Sequence, residues 1–298
     1  MFSSYQGEWA ALLTVIFWTT TALVFESASL KVGSIAVNFL RLFLALVILS
    51  IYNYLARGMA FPIDATPDAW FWLVLSGIIG LVLGDYFLFE AFTLVGSRIS
   101  MLVMTLVPPL TALIGWFALG EHLTLMHFLG MGLTMSGVAL VVLYRGNGQQ
   151  KLKMNYPPKG ILYAFLGAVG QAVGLIFSKL GMKDYNPFAA TQIRVITSVI
   201  GFAIVVTVWK KWGKISAAIR QTVPMLKITT GAFFGPFLGI SFSLYAIQHT
   251  KAGIASTIMA MVPVLIIPPA VFIMKQKVTT KEIIGAIISV LGILIFFL

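Results

Sequence analysis

The segment from Gly80 to Leu143 recurs, without a gap, 155 residues later as Gly235 to Leu298. Gly80, Gly84, Ala91, Met104, Pro108, Thr124, Gly130 and Gly137 fall on Gly235, Gly239, Ala246, Met259, Pro263, Thr279, Gly285 and Gly292. Coincidence between two apolar stretches would scatter matches of Leu, Ile and Val. It would not bring four glycines, a proline and a threonine into one register. The segments before these match at an offset of 153, with Gly7 on Gly160, Ala11 on Ala164 and Arg41 on Arg194. The chain is therefore a tandem duplication of a unit of roughly 150 residues, and any fold proposed for it has to be built from two copies.

Composition sets the solvent. Hydrophobic residues are 59% of the 298 and charged residues 10%, where a soluble domain carries about 25% charged residues. Apolar runs near 20 residues fit helices across a hydrocarbon core of about 30 Å, and the alternating strand pattern of a β-barrel is absent. The first apolar run has neither a basic leader nor a small-residue cleavage site, so it is expected to be retained. There is no cysteine, which removes disulfides, thiol nucleophiles and thiolate metal sites. His122, His127 and His249 are too scattered for a zinc site, and no P-loop or metalloprotease motif is present, so neither metal nor cofactor is expected. The net charge of +11 is read as loop charge that orients a membrane protein, not as a nucleic-acid surface.

A window of about 19 residues places ten spans, at 9–27, 34–56, 69–93, 98–119, 125–144, 160–180, 187–209, 224–248, 252–274 and 280–298. The expectation is an all-α integral membrane protein. Residues 1–144 form a first five-helix repeat, 145–159 the loop between repeats and 160–298 a second five-helix repeat. Five is odd, so consecutive copies lie in opposite orientations, related by a pseudo-two-fold axis in the membrane plane. Secondary transporters use this arrangement and place their substrate at the repeat interface near the midplane. Of the lysines and arginines, fourteen lie on the face opposite the termini and four on the face with them; Arg41 and Arg194 lie inside spans. The positive-inside rule then puts the 145–159 and 210–227 loops in the cytoplasm and both termini outside.

The chain resembles the ten-helix EamA-type members of the drug/metabolite transporter superfamily. Phe17-Trp18 in the first span, Arg41 in the second, and Pro108 followed by Gly120-Glu121, Gly130 and Gly137 carry the resemblance, which spans both repeats. It implies export or exchange of small metabolites, amino acids among them, by alternating access. Gln171 stands at the repeat-equivalent of Trp18, and Gln276 at that of Glu121, where the pattern has an aromatic and an acid. Many members are drawn with both termini in the cytoplasm, against the charge count.

Charged residues inside spans are costly, at least about 2.5–3.5 kcal/mol at a helix centre, and need a partner or a wet cavity. At about 1.5 Å per residue, Asp85 lies about 22 Å and Glu90 about 30 Å into the third span. Arg41, Glu26 and Arg98 fall at the same level. Either Arg41 and Glu90 satisfy each other structurally, or Asp85 or Glu90 changes protonation or partner during turnover. Asp85, the deeper, is the stronger candidate for proton coupling, and its repeat-equivalent is the neutral Ile240. Arg194 is expected to pair with Glu121 or Asp184. Trp18 and Gln171, at matching positions of the inverted copies, are expected to touch substrate, with Thr21, Asn38, Tyr86, Gln192, Ser241 and Tyr245 as further candidates. Pro108 and Pro109, and Pro263 in the ninth span, remove backbone donors and are candidate hinges.

The function expected is a monomeric secondary transporter of small polar or amphipathic solutes in the plasma or inner membrane, driven by a gradient. The alternatives are an intramembrane enzyme acting on a lipid head group, with Asp85 and Glu90 as its acids, and a non-transporting scaffold.

Overall fold

A computed structural model describes residues 5–144, 157–272 and 278–297, and leaves aside the side chains of residues 22, 23, 26, 30, 92, 93, 96–98 and 270. Most of the predicted inter-repeat loop, Gln276, and the side chains of Glu26 and Arg98 fall outside the described residues.

The first copy contains α1 (Gln6–Val32), α2 (Ser34–Arg57), α3 (Pro67–Ser76), a π-helix (Gly77–Gly84), α4 (Asp85–Met104), α5 (Val107–Leu119) and α6 (Leu125–Tyr144). The second contains α7 (Pro158–Met182), α8 (Pro187–Val208), α9 (Trp212–Ile219), α10 (Thr222–Ala232), a second π-helix (Phe233–Gly239), α11 (Ile240–His249), α12 (Ala252–Met259), α13 (Val262–Leu265), α14 (Ile267–Phe272) and α15 (Thr280–Leu294). Nine helical segments among the described residues are long and apolar enough to cross a membrane. The 27-residue α1, about 40 Å long at 1.5 Å per residue, is the tenth crossing. The protein is an all-helical membrane protein built from two copies of one unit.

Local sequence sets the helix ends. Asn186 caps α8, its Oδ1 accepting from the backbone N–H of Phe188 and Ala189 at 2.9 and 3.1 Å, with Pro187 in the first turn, where a missing N–H costs nothing. Gly58 and Gly120 close α2 and α5 at φ of 72° and 63°, a left-handed geometry that glycine adopts without strain. Thr279 and Glu282 form a capping box on α15; at the same register of the first copy, the Nδ1 of His127 accepts from the N–H of Thr124 at 3.0 Å.

Three features differ from the sequence expectation. Helical backbone continues through 94–97, the predicted connector between the third and fourth spans, and breaks at Thr105–Leu106 instead. The connector holds one glycine and no proline, whereas Val107-Pro108-Pro109 disfavours helix just before it. Pro108 therefore lies in the first turn of a new helix, as does Pro263 in α13 after a break at Ala260–Met261. These prolines start half-helices and do not kink continuous ones. Lastly, the 210–223 stretch contains the short helix α9, which buries Ile215 and Ala218 against α2 and α10.

Repeat-equivalent helices α6 and α15 cross along their small residues. A Cβ on Gly137 would lie 2.5 Å from the Gly285 carbonyl, and one on Gly292 2.5 Å from the Thr134 amide. Thr134 and Ser289 each donate to the other's backbone carbonyl, at 3.4 and 3.3 Å. Polar pairing and close backbone approach supply the cohesion that lipid does not.

Candidate functional site

Both π-helices end at matching glycines, Gly84 and Gly239. A π-turn adds a residue to the helical repeat, re-aims the side chains that follow and recurs at functional sites. Here the first residue after each, Asp85 and Ile240, lines one cavity of about 310 Å³. Three repeat-related pairs surround it: Trp18 and Gln171 from α1 and α7, Asp85 and Ile240 after the π-helices, and the two helix breaks, lined by Met104, Thr105 and Val107 on one side and Met259, Ala260 and Val262 on the other. The cavity thus lies on the pseudo-two-fold axis. Broken helices meeting at such an axis are where transporters of the inverted-repeat type hold solute.

Its polar wall is one connected group. The Arg41 guanidinium forms an ion pair with Asp85 Oδ2. The Gln171 amide donates to Asp85 Oδ1 at 2.8 Å and to the Gly80 carbonyl at 3.3 Å. Arg41 also sits over the rings of Phe25 and Phe89, 5.4 and 5.6 Å from their centroids, a cation–π geometry. A carboxylate that accepts from an arginine and an amide is held in one orientation. The ion-pair partner of Arg41 is thus Asp85, where Glu90 was the other candidate; with Leu81, Asp85 and Leu88 lining the cavity, Glu90 lies about 140° around the helix from Asp85 at 3.6 residues per turn.

The end of the molecule that carries both termini is tied shut. Lys179 Nζ pairs with Glu121 Oε1 at 2.6 Å and donates to the Thr250 carbonyl at 2.7 Å. Thr250 Oγ1 donates to Glu8 Oε1 at 2.5 Å, and the Ala252 amide to Glu121 Oε2 at 2.8 Å. Close by, Tyr185 donates to Asp64 Oδ1 at 2.8 Å, and Asp64 pairs with Arg57. Burial first, then the hydrogen bond to Asp64, pushes the Tyr185 hydroxyl up to about 12. The bond from Tyr185 and the charge of Arg57 outweigh burial at Asp64 and hold its carboxyl below the usual range. Between this clasp and the cavity lie the fully buried Ala11, Val15, Leu73, Ile176, Leu244, Ile247, Ala255 and Ile258.

A family model described as the EamA-like transporter family matches residues 5–143 and 158–298. The chain belongs to that family. It is also 25% identical over 234 residues, 74% of this chain and 71% of the other, to the "Uncharacterized transporter YyaM" of Bacillus subtilis (strain 168). A crystal structure 19% identical superposes with a TM-score of 0.76, covering 98% of this chain and 96% of that one, which speaks for the fold.

Of the residues singled out from the sequence, Trp18, Thr21, Arg41, Asp85, Gln171 and Pro263 line the cavity. Others lie elsewhere. Gln192 accepts from Asn53 at 2.8 Å and donates to Ser50 and the Ala60 carbonyl at 2.9 and 2.7 Å, which makes it a strut between α2 and α8. Tyr245 donates to Gln6 Oε1 at 3.1 Å and stacks on His249 near the termini. Tyr86 packs on Phe87 and Trp209. Asn38 and Ser241 are buried but do not line the cavity, and neither do Pro108 and Pro109. Arg194 pairs with neither expected acid, since Glu121 is taken by Lys179 and Asp184 is exposed while Arg194 is buried. The clasp residues Glu8, Lys179 and Thr250 carry no individual sequence signal; only their positions at helix ends mark them. Among the described residues no three His, Cys, Asp or Glu groups converge as a metal would require.

Proposed function

We propose that the protein is a secondary transporter of small polar or amphipathic metabolites in the plasma membrane, exporting or exchanging them by alternating access around the Trp18–Gln171 axis. The observation that carries this reading is the axial cavity, with its Arg41–Asp85–Gln171 wall set among Trp18, Phe25 and methionines. Its volume of about 310 Å³ is at the small end of the roughly 300–1,000 Å³ typical of ligand sites. It suits a solute with one apolar part and a few polar groups. The clasp at the terminal face and the lining by Phe25, Arg41 and Gly235 toward the other face support a state open away from the termini. By the basic-residue count that is the cytoplasmic side, the side from which an exporter loads. Asp85, the one carboxylate that lines the cavity among the described residues, is the proposed coupling group.

Purified protein in liposomes tests this. Counterflow of an unmodified solute from a metabolite panel is the expected result, and a chemically altered product would favour the lipid-head-group enzyme. Trp18→Ala and Gln171→Ala should each weaken binding of the transported solute by about 1–3 kcal/mol, the worth of a stacking face or a hydrogen bond in a partly wet site. Unchanged binding by calorimetry would remove both from the site.

A further inference from the structure

Arg41 and Arg194 are repeat-equivalents with unequal partners. Arg41 has Asp85. Arg194 is 4% exposed, forms no ion pair among the described residues, and its Nε lacks a hydrogen-bond partner. The position that would mirror Asp85 for it holds Ile240. Its guanidinium nevertheless reaches the same wall: a Cβ on Gly80 would lie 3.3 Å from its Nη2. The carbonyl of that glycine accepts from Gln171, which donates onward to Asp85. The line Arg194, Gly80, Gln171, Asp85, Arg41 is therefore continuous, and Asp85 feels both arginine charges. Lys179 of the clasp pairs with Glu121 there, and Glu90 does not line the cavity.

Among the described residues of this wall, one buried and one largely buried arginine face a single carboxylate, which leaves one positive charge without a counter-ion in a low-dielectric site, an arrangement that is costly unless a ligand completes it. Arginine is always charged, so the deficit cannot be relieved by losing a proton. We infer that the transported solute carries a single carboxylate that pairs with Arg41, while Asp85 serves as counter-ion to Arg194. The inference rests on the transporter reading and deepens it. One negative charge balances the site, whereas a dianionic phosphate would overshoot it. A planar carboxylate also matches the guanidinium fork that lines the cavity. The apolar walls receive the rest of the molecule, and Asp85, placed between the two arginines, can move from one to the other without leaving the line.

The test uses matched pairs of small aliphatic or aromatic monocarboxylic acids with their primary amides. Thermal stabilisation of the whole protein in detergent and counterflow in liposomes are both read. Acids should bind more tightly than their amides by about tenfold or more, a difference of about 1.4 kcal/mol. Arg194→Gln, which leaves Arg41 and Asp85 balanced, should bring that ratio toward one, and Asp85→Asn, which leaves two bare arginines, should widen it. Because Asp85→Asn is predicted in the opposite direction, the inference stays testable even where Arg194→Gln fails to fold. Equal binding of acids and amides by the parent, or a ratio narrowed by Asp85→Asn, overturns it. Acids that stabilise the protein but are not carried would sink the transporter reading and leave this inference standing. Acids and amides carried equally would do the reverse.

Discussion

The two π-helices cross equivalent helices in opposite manners. On one side the first π-helix lies on α7, and glycine faces glycine. A Cβ on Gly174 would sit 2.7 Å from Gly80 Cα, and one on Gly170 2.9 Å from Gly84 Cα, while Ser76 and Ser178 bond each other at 2.7 Å. On the other side α10 and the second π-helix lie on α1, and their glycines face bulk. Gly231, Gly235 and Gly239 meet Phe25, Thr21 and Trp18, the repeat-equivalents of Ser178, Gly174 and Gln171. Backbones touch in the first crossing, and side chains hold them apart in the second. Since the copies are inverted, the tight crossing lies toward the terminal clasp and the loose one toward the opposite face. One unit, with one set of helix lengths, thereby makes both a closed end and an open end, and the difference is confined to a few side chains on α1 and α7.

The largest expected effect comes from filling the tight crossing. Gly174→Ala places a methyl against backbone that cannot yield without separating α7 from the first π-helix. Overpacking of this kind costs about 1–3 kcal/mol or more. The unfolding temperature should fall and counterflow should drop by about an order of magnitude per 1.4 kcal/mol lost from the closed state. Thr21→Gly, the mirror change in the loose crossing, should cost less than 1 kcal/mol beyond the glycine helix penalty of about 1 kcal/mol. If the two changes act equally, the asymmetry between the crossings has no energetic weight.

Next in size is Asp85→Asn, which keeps the shape of the polar wall but removes titration. Accumulation driven by an imposed pH gradient should be lost while counterflow persists. A variant that still concentrates solute as the parent does would return Asp85 to a purely structural part. Breaking the clasp comes third. Lys179→Met leaves Glu121 without its cation and the Thr250 carbonyl without a donor, at about 1–3 kcal/mol for partly buried partners. It should shift the population toward opening at the terminal face. The chain lacks cysteine, so single cysteines placed at Ala11 or Leu244 can report this by faster labelling from that side. Unchanged labelling would show that the glycine crossing alone closes the molecule. The smallest effect concerns Tyr185. Its pKa is raised from 10 to about 12, so its contribution is complete below pH 10 and is lost as pH rises through about 12. Tyr185→Phe should lower stability slightly across the neutral range, where the contribution is complete, and flatten that alkaline decline, and a decline identical to the parent's would assign it to other groups.

Residues that the sequence made legible did so through repetition. Trp18 and Gln171 were singled out because they occupy one position of two inverted copies, and the structure brings them to one cavity with Asp85 and Arg41. Gln192, Tyr245 and Tyr86 looked alike in sequence, being polar groups in apolar helices. Only their neighbours separate them from the cavity residues: Asn53 and Ser50 for the first, Gln6 and His249 for the second, Trp209 for the third. The pairs Gly80–Gly84 and Gly235–Gly239 were visible as glycines matched between the two copies, but nothing local told that the helix between them would widen into a π-turn and re-aim Asp85.

What the sequence determined by itself follows from sums over many residues: apolar runs that require a membrane, a register shared by two copies, an odd span count that inverts them, and prolines that interrupt a helix. Each is redundant, so no single substitution would obscure it. What only the tertiary structure decided turns on single neighbours brought together across tens of residues of chain. Lys179 chose Glu121 where Arg194 was expected, and Arg41 chose Asp85 over Glu90. An ion pair inside a membrane is selected by which face of a helix each charge occupies and how closely two backbones approach, and both depend on packing that no local pattern encodes.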